Sequence, residues 1–152
     1  MRIIKSLDEI PNISYPVLTQ GTFDGVHLGH KELIKQINAF ARKKNGESIL
    51  LTYHPHPRLF LQPNNNHLTL LNTLEEKIDR LEKAGIQNLI ILPFNKAMAG
   101  LSPDDFIQSI LIDRIKIKQM QSSSRLVSGN DDMYKKLELK LAKHKSQEFA
   151  IV

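Results

Sequence analysis

Hydrophobic positions along the chain fall into two alternating patterns. Short, nearly continuous apolar runs occur in "YPVLTQ", extending to Thr22, in "ESILLTY" at 47–53 and in "NLIILPF" at 88–94. Runs of this length bounded by turn residues read as buried strands. Between them the spacing lengthens to that of helices. Leu33, Ile34, Ile37 and Phe40 share one face of "HKELIKQINAFARKKNG", with Gly46 as the expected stop. Thr73 with Glu76 forms a capping-box signal, after which Leu74, Ile78 and Leu81 line one face until Gly85. Ser102, Pro103 and Asp105 open a further helix whose buried face carries Phe106, Ile107, Ile110 and Leu111. "IKIKQMQ" is a poor fourth strand, "DDMYKKLELKLAKHK" is helical by its Met133, Leu137 and Leu141, and "EFAIV" at 148–152 is a short last strand. The prolines and asparagines of "HPHPRLFLQPNNN" predict a long loop without regular structure.

Strands that alternate with helices pair in parallel through crossovers, which predicts an α/β fold: a Rossmann-like, doubly wound parallel sheet of about five strands. In such a sheet ligands bind beyond the carboxyl ends of the strands, where strand order reverses. Three polar segments, "QGTFDGVHLGH", "YHPHPR" and "PFNKAM", follow predicted strands and should meet at one edge.

Composition narrows the chemistry. The chain has 152 residues, 41% of them hydrophobic and 24% charged, which suits one domain with a real core. It contains no cysteine, so disulfides, thiolate zinc sites and cysteine nucleophiles are excluded, and a cytoplasmic location is expected. No apolar run is long enough to span a membrane and the first residues lack a secretory pattern, so no membrane partner is expected. The net charge of +5 favours anionic ligands, but the lysines are spread along the chain as solvated faces and no nucleic acid is expected.

The segment 20–34, "QGTFDGVHLGHKELI", concentrates the candidate chemistry. Gly21 and Gly25 permit a sharp turn close to a ligand, Gly29 suits a tight helix–strand approach, and His30 falls where a helix begins. Free N–H groups and the positive end of the helix dipole receive phosphate there. His27 and His30 can donate to phosphate oxygens whose charge grows during displacement. The pattern is neither a Walker motif nor G-x-G-x-x-G, and no third ligand accompanies the two histidines, so no protein-bound metal is expected.

This segment resembles the nucleotidyltransferase superfamily, whose first signature, HxGH, stands here as "HLGH" at 27–30. The longer "GTFDGVHLGH" is similar to the FMN adenylyltransferase domain of prokaryotic bifunctional FAD synthetase/riboflavin kinase. "LTYHPHPR" at 51–58, "LNTLEEKIDRLEKAGI" at 71–86 and "LPFNKAMAGLSPDDFI" at 92–107 agree with it. The resemblance implies AMP transfer from ATP, with Mg2+, to FMN, giving FAD and pyrophosphate. His27 and His30 would be catalytic and contact the ATP phosphates, while Gly21, Thr22, Phe23, Asp24, Gly25 and Gly29 complete the nucleotide site. Asp24 would orient the loop or help hold the metal, or simply form the turn. His56, Pro57, Arg58, Phe60, Phe94 and Arg125 would bind the substrate, with Phe106 assigned to the core.

Beyond residue 115 the match weakens. The family's flavin loop is represented by "KQMQSSSRLVSG", in which only Arg125 matches, and "SSSR" at 122–125 only partly imitates the superfamily's second signature, S-S-T-x-x-R. The chain is expected to be a single nucleotidyltransferase domain over 1–152, lacking the family's riboflavin kinase domain. Two alternatives stay open: a non-catalytic flavin or nucleotide binder, and transfer to another phosphorylated small molecule.

Overall fold

A computed structural model describes residues 1–61 and 69–120. The expected last helix and "EFAIV" strand, together with Ser122 to Arg125, lie outside the described residues. Five strands, β1 (Arg2–Ile4), β2 (Pro16–Gln20), β3 (Glu47–His54), β4 (Asn88–Pro93) and β5 (Gln119–Met120), form one sheet in the order β1-β4-β3-β2-β5. Every pairing is parallel. Among the described residues the sheet thus has five strands; β1 is unforeseen, and "IKIKQMQ" contributes only two residues.

Helices α1 (Leu28–Lys43) and α3 (Leu74–Lys83) cover one face. There Leu33, Ile34, Ile37, Ala41 and Leu81 pack with Val17, Leu50, Leu89 and Ile91. The other face holds Leu18, Ile49, Leu51, Ile90 and Leu92. The strand residues divide by the period of two that sends successive side chains to opposite sides. This second face is covered by the π-helical stretch Phe106–Ile112, into which the short helical turn Pro103–Asp105 leads. Phe106 is buried with Ile107, Ile110 and Leu111, as expected. The wider turn comes from bonds such as Ile115 N–H to the Ile110 carbonyl, five residues back.

The capping box at Thr73 and Glu76 forms as read, with Glu76 N–H donating to Thr73 Oγ1 at 3.2 Å and Thr73 N–H to Glu76 Oε2 at 2.9 Å. Two expectations fail locally. The segment after β3 is not wholly irregular, because Pro57 starts the short helix α2 (Pro57–Leu61); a proline is preset for a first helical turn. The stop of α1 is Asn45 rather than Gly46: Asn45 takes the left-handed conformation (φ 52). Asn45 N–H bonds the Arg42 carbonyl and Gly46 N–H the Ala41 carbonyl, a Schellman pattern. Gly46 is needed for space, since a Cβ there would lie 2.1 Å from the Tyr15 carbonyl oxygen.

At the amino ends of the strands, Asn88 joins three of them. Its Nδ2 donates to Glu47 Oε2 (3.0 Å) and the Ser48 carbonyl (3.1 Å), and its Oδ1 accepts from Arg2 (2.9 Å). Among the described residues no helix is long and apolar enough to cross a membrane.

Gly46→Ala forces α1 away from the start of β2 and is expected to destabilise the protein by about 1–3 kcal/mol, the usual range for overpacking. Urea unfolding monitored by circular dichroism measures the loss.

Candidate active site at the sheet's carboxyl edge

Strand order reverses at β2, which lies between β3 and β5. The carboxyl ends of β2, β3 and β4 share one edge because all three are parallel, so the three polar segments do converge. From β2 the chain enters α1 through a compact turn. Gly21 N–H still bonds the Leu51 carbonyl at 3.0 Å. Phe23 (φ 49), Gly25 (φ 78) and Val26 (φ 39) then adopt left-handed conformations. For residues with a Cβ this costs about 1–3 kcal/mol each and survives only where the surroundings over-determine it. Phe23 and Val26 are 1% and 2% exposed, sunk among the α1 core residues. The Phe23 side chain thus anchors the turn in the core.

Asp24 faces the other way. Its carboxylate accepts Leu71 N–H (3.0 Å to Oδ1, 3.1 Å to Oδ2) and Asn72 N–H (3.2 Å), tying the turn to the approach of α3. Of its three roles, loop orientation is the one this geometry displays. Gly25 is required twice over, by its φ and because a Cβ would meet Leu71 Cδ1 at 2.8 Å.

His27 is the N-cap of α1 and makes no side-chain capping bond. Residues three apart share a helix face, and the His27 and His30 rings stack with centroids 3.7 Å apart and an interplanar angle of 21°. Phe23 flanks His30 on another side at 4.6 Å. His30 is 5% exposed and its buried Nδ1 has no hydrogen-bond partner. Burial, and then the neighbouring His27, lower its pKa to about 4 against a weaker opposing pull from Asp24. His30 is therefore a neutral imidazole near pH 7, with one donor and one acceptor nitrogen. The first N–H groups of α1 lack intrahelical partners and point the same way as the helix dipole. Gly29 is exposed on this first turn, and a Cβ there would approach only the His27 ring, at 3.2 Å. It leaves room beside the imidazole instead of mediating helix–strand packing.

Two cavities flank the end of β3, and Tyr53 lines both. One, of about 300 Å3, is bordered by His54, His56, Asn72, Thr73 and Lys77. His56 Nδ1 accepts Arg58 N–H at 3.1 Å. Its pKa is lowered by burial first, then by Lys77 and Arg58, with Asp24 opposing. The other cavity, of about 420 Å3, is walled by Gln20, Phe94, Met98, Leu101 and Phe106. Phe94 packs edge-on against Tyr53 (5.6 Å, 81°) and Phe60 (5.7 Å, 79°).

Most sequence-assigned residues thus gather at this edge. Gly21, Thr22, Asp24, Gly25, His27, Gly29 and His30 surround the turn, His56 and Phe94 border separate cavities, and Phe60 supports Phe94. Pro57 opens α2, and Arg58 is exposed on it. Arg125 lies outside the described residues. Among the described residues no group of three or more His, Asp or Glu side chains could hold a metal ion. Lys77 and Asn72 were missed. Lys77 is 6% exposed and donates to the Thr22 carbonyl at 2.9 Å. Its signal was its place between Leu74 and Leu81 on the apolar face.

A family profile described as FAD synthetase matches residues 10–147. The bifunctional riboflavin kinase/FMN adenylyltransferase of Buchnera aphidicola subsp. Acyrthosiphon pisum is 35% identical over 132 residues, 86% of this chain and 40% of that protein. The protein of the same name from Bacillus subtilis is 38% identical over 96 residues, 63% of this chain and 30% of that one. The chain thus spans less than half the length of these curated relatives. A crystal structure titled macrolide-efflux protein from Streptococcus pneumoniae superposes over 99% of this chain and 50% of its own with a TM-score of 0.73 at 24% identity, a likeness of fold. Pantoate-beta-alanine ligase from Francisella tularensis shares the fold more distantly, with a TM-score of 0.55 and 16% identity over 100% of this chain and 66% of its own.

Asp24→Ala leaves the Leu71 and Asn72 amides without their acceptor and is expected to destabilise the protein by about 1.5–3 kcal/mol, the range for bonds to a charged group. Hydrogen exchange at those amides should accelerate while the amides of β3 and β4 stay protected. The lowered pKa of His30 sets a pH dependence. Below 6.5 the unfolded chain takes up a proton that the folded chain refuses until about 4, so the stability from neutral His30 is complete above 6.5 and is lost as pH falls toward 4. Unfolding free energies of the protein and of His30→Gln over this interval should diverge, with His30 adding a slope of up to about 1.4 kcal/mol per pH unit.

Proposed function

Because the chain belongs to the FAD synthetase family, we propose that it is an FMN adenylyltransferase, transferring AMP from ATP to FMN to give FAD and pyrophosphate. The observation that carries this reading is the amino terminus of α1 at the switch point of the sheet, with the stacked His27–His30 pair beside its free N–H groups.

In the transfer, a phosphate oxygen of FMN attacks the α-phosphorus of ATP, a new P–O–P bond forms, and the bond to the bridging oxygen of the β-phosphate breaks. Pyrophosphate leaves with that electron pair. No covalent bond to the protein is required, so the chain's contribution is positioning and charge stabilisation. The N–H groups of α1 receive phosphate oxygens, and neutral His30 donates a hydrogen bond to them. The magnesium ion travels with ATP as part of the substrate and neutralises phosphate charge.

The aromatic cavity at Phe94 and Tyr53 suits an isoalloxazine ring, since such sites are apolar with few convergent polar groups and span about 300–1,000 Å3. His56, at the smaller cavity, lies at the strand end that would receive the FMN phosphate, and Arg58 supplies a guanidinium on the adjoining helix.

Incubation with ATP, magnesium and FMN should yield FAD above a control lacking the protein. ATP binding without FAD would favour a non-catalytic binder, and pyrophosphate release only with a different phosphate ester would change the acceptor. His30→Ala should lower turnover about 10- to 1,000-fold, as for a lost transition-state donor. A change within twofold would remove its assigned role.

A further inference from the structure

Lys77 occupies a position that helix periodicity gives to an apolar residue. Leu74, Ile78 and Leu81 share its face of α3, and the lysine is buried with them. Lysine is almost never fully buried unless paired, because removing its charge from water is expensive. Even a whole buried ion pair can often be replaced by apolar side chains of similar volume without loss of stability, so a buried charge is weak evidence of a stabilising role. Stability alone therefore does not account for a lysine here.

What its ammonium does hold is a backbone atom of the phosphate-facing turn. Nζ donates to the Thr22 carbonyl at 2.9 Å, and Thr52 Oγ1, from β3, approaches the same oxygen at 3.4 Å. The next residue, Phe23, is the first of the left-handed positions. On its other side the turn is gripped by the Asp24 carboxylate on the Leu71 and Asn72 amides. The approach and first turns of α3 thus clasp residues 22–24 at two points with opposite charges.

We propose that Lys77 is a positioning residue for the transfer reaction: its buried ammonium fixes the Thr22 carbonyl and thereby holds the strained turn that aims the amino terminus of α1 and its histidines at the nucleotide. This rests on the adenylyltransferase reading for the identity of the reaction, though not for the clasp itself. Lys77 also borders the smaller cavity, but its Nζ is engaged by the Thr22 carbonyl. It acts through the backbone of Thr22.

The test uses the full chain with Lys77→Met, which keeps the volume of the side chain, and Lys77→Gln, which keeps an N–H donor. Lys77→Met is expected to retain the thermal midpoint of the parent, to exchange its Phe23–Val26 amides faster, to bind ATP more weakly, and to lose kcat about 10- to 100-fold, the scale of a small misplacement of reacting groups. The KM for FMN should change less than kcat, since Lys77 only borders the smaller cavity, and Lys77→Gln should recover part of kcat. Unchanged exchange at the turn, or kcat within twofold of the parent, would overturn the proposal. So would a fall in thermal midpoint that accounts for the lost activity, which would assign Lys77 to stability. Exchange and ATP affinity are read on the same samples and decide the Lys77 assignment even where the parent makes no FAD, a result that counts against adenylyl transfer alone.

Discussion

Phe23 and Val26 reach into the core between α1 and the sheet, and their burial forces the backbone between β2 and α1 into a left-handed path. Everything at the carboxyl edge depends on that exchange of backbone strain for apolar burial. Two side chains of this size each gain about 1.5–3 kcal/mol on full burial, comparable with the strain each left-handed residue incurs. The balance is close, and Asp24 and Lys77 fix the geometry of the turn from the α3 side. The outcome is a helix whose first N–H groups emerge at the reversal of strand order instead of being covered by the preceding chain.

The histidines illustrate how one packing decision sets both geometry and charge. Placing His27 at the N-cap and His30 within the first turn stacks the rings, and that stack excludes water from the inner one. Desolvation then keeps His30 neutral. A neutral imidazole next to a helix terminus supplies a directed donor whose strength comes from orientation in a poorly solvated place, which is the form of stabilisation phosphoryl and nucleotidyl transfer chiefly draw on.

Much of this was legible before any coordinates. Apolar runs at 15–20, 47–53 and 88–94 define three adjacent strands, and the glycine- and histidine-rich segment follows the first of them. What escaped had physical reasons. β1 is three residues long and only Ile4 of it is buried, too little to make a pattern. A π-helical stretch and an α-helix bury the same side chains at Phe106, Ile107, Ile110 and Leu111, so the apolar pattern does not separate them. Gly46 looked like a left-handed helix stop, but that conformation belongs to Asn45, and the glycine answers to a carbonyl from a distant part of the chain. Lys77 was hidden because a lysine in an amphipathic helix is ordinarily solvated, and only tertiary packing reveals that this one is not.

The Asn88 junction has a consequence for the solubility of the molecule. β4 is an almost wholly apolar strand, and β1 covers its outer edge over Asn88, Leu89 and Ile90. That cover is held by Arg2 on Asn88 and by an exposed ion pair between the Met1 amino group and Glu82, a kind of contact that contributes little in water. Short peripheral strands open more readily than the body of a sheet. Whenever β1 peels away, a row of unpaired N–H and C=O groups on an aliphatic strand faces solvent, and that is the template on which a second chain can add. By pairing there, the amino-terminal strand closes an edge that would otherwise be open to strand addition.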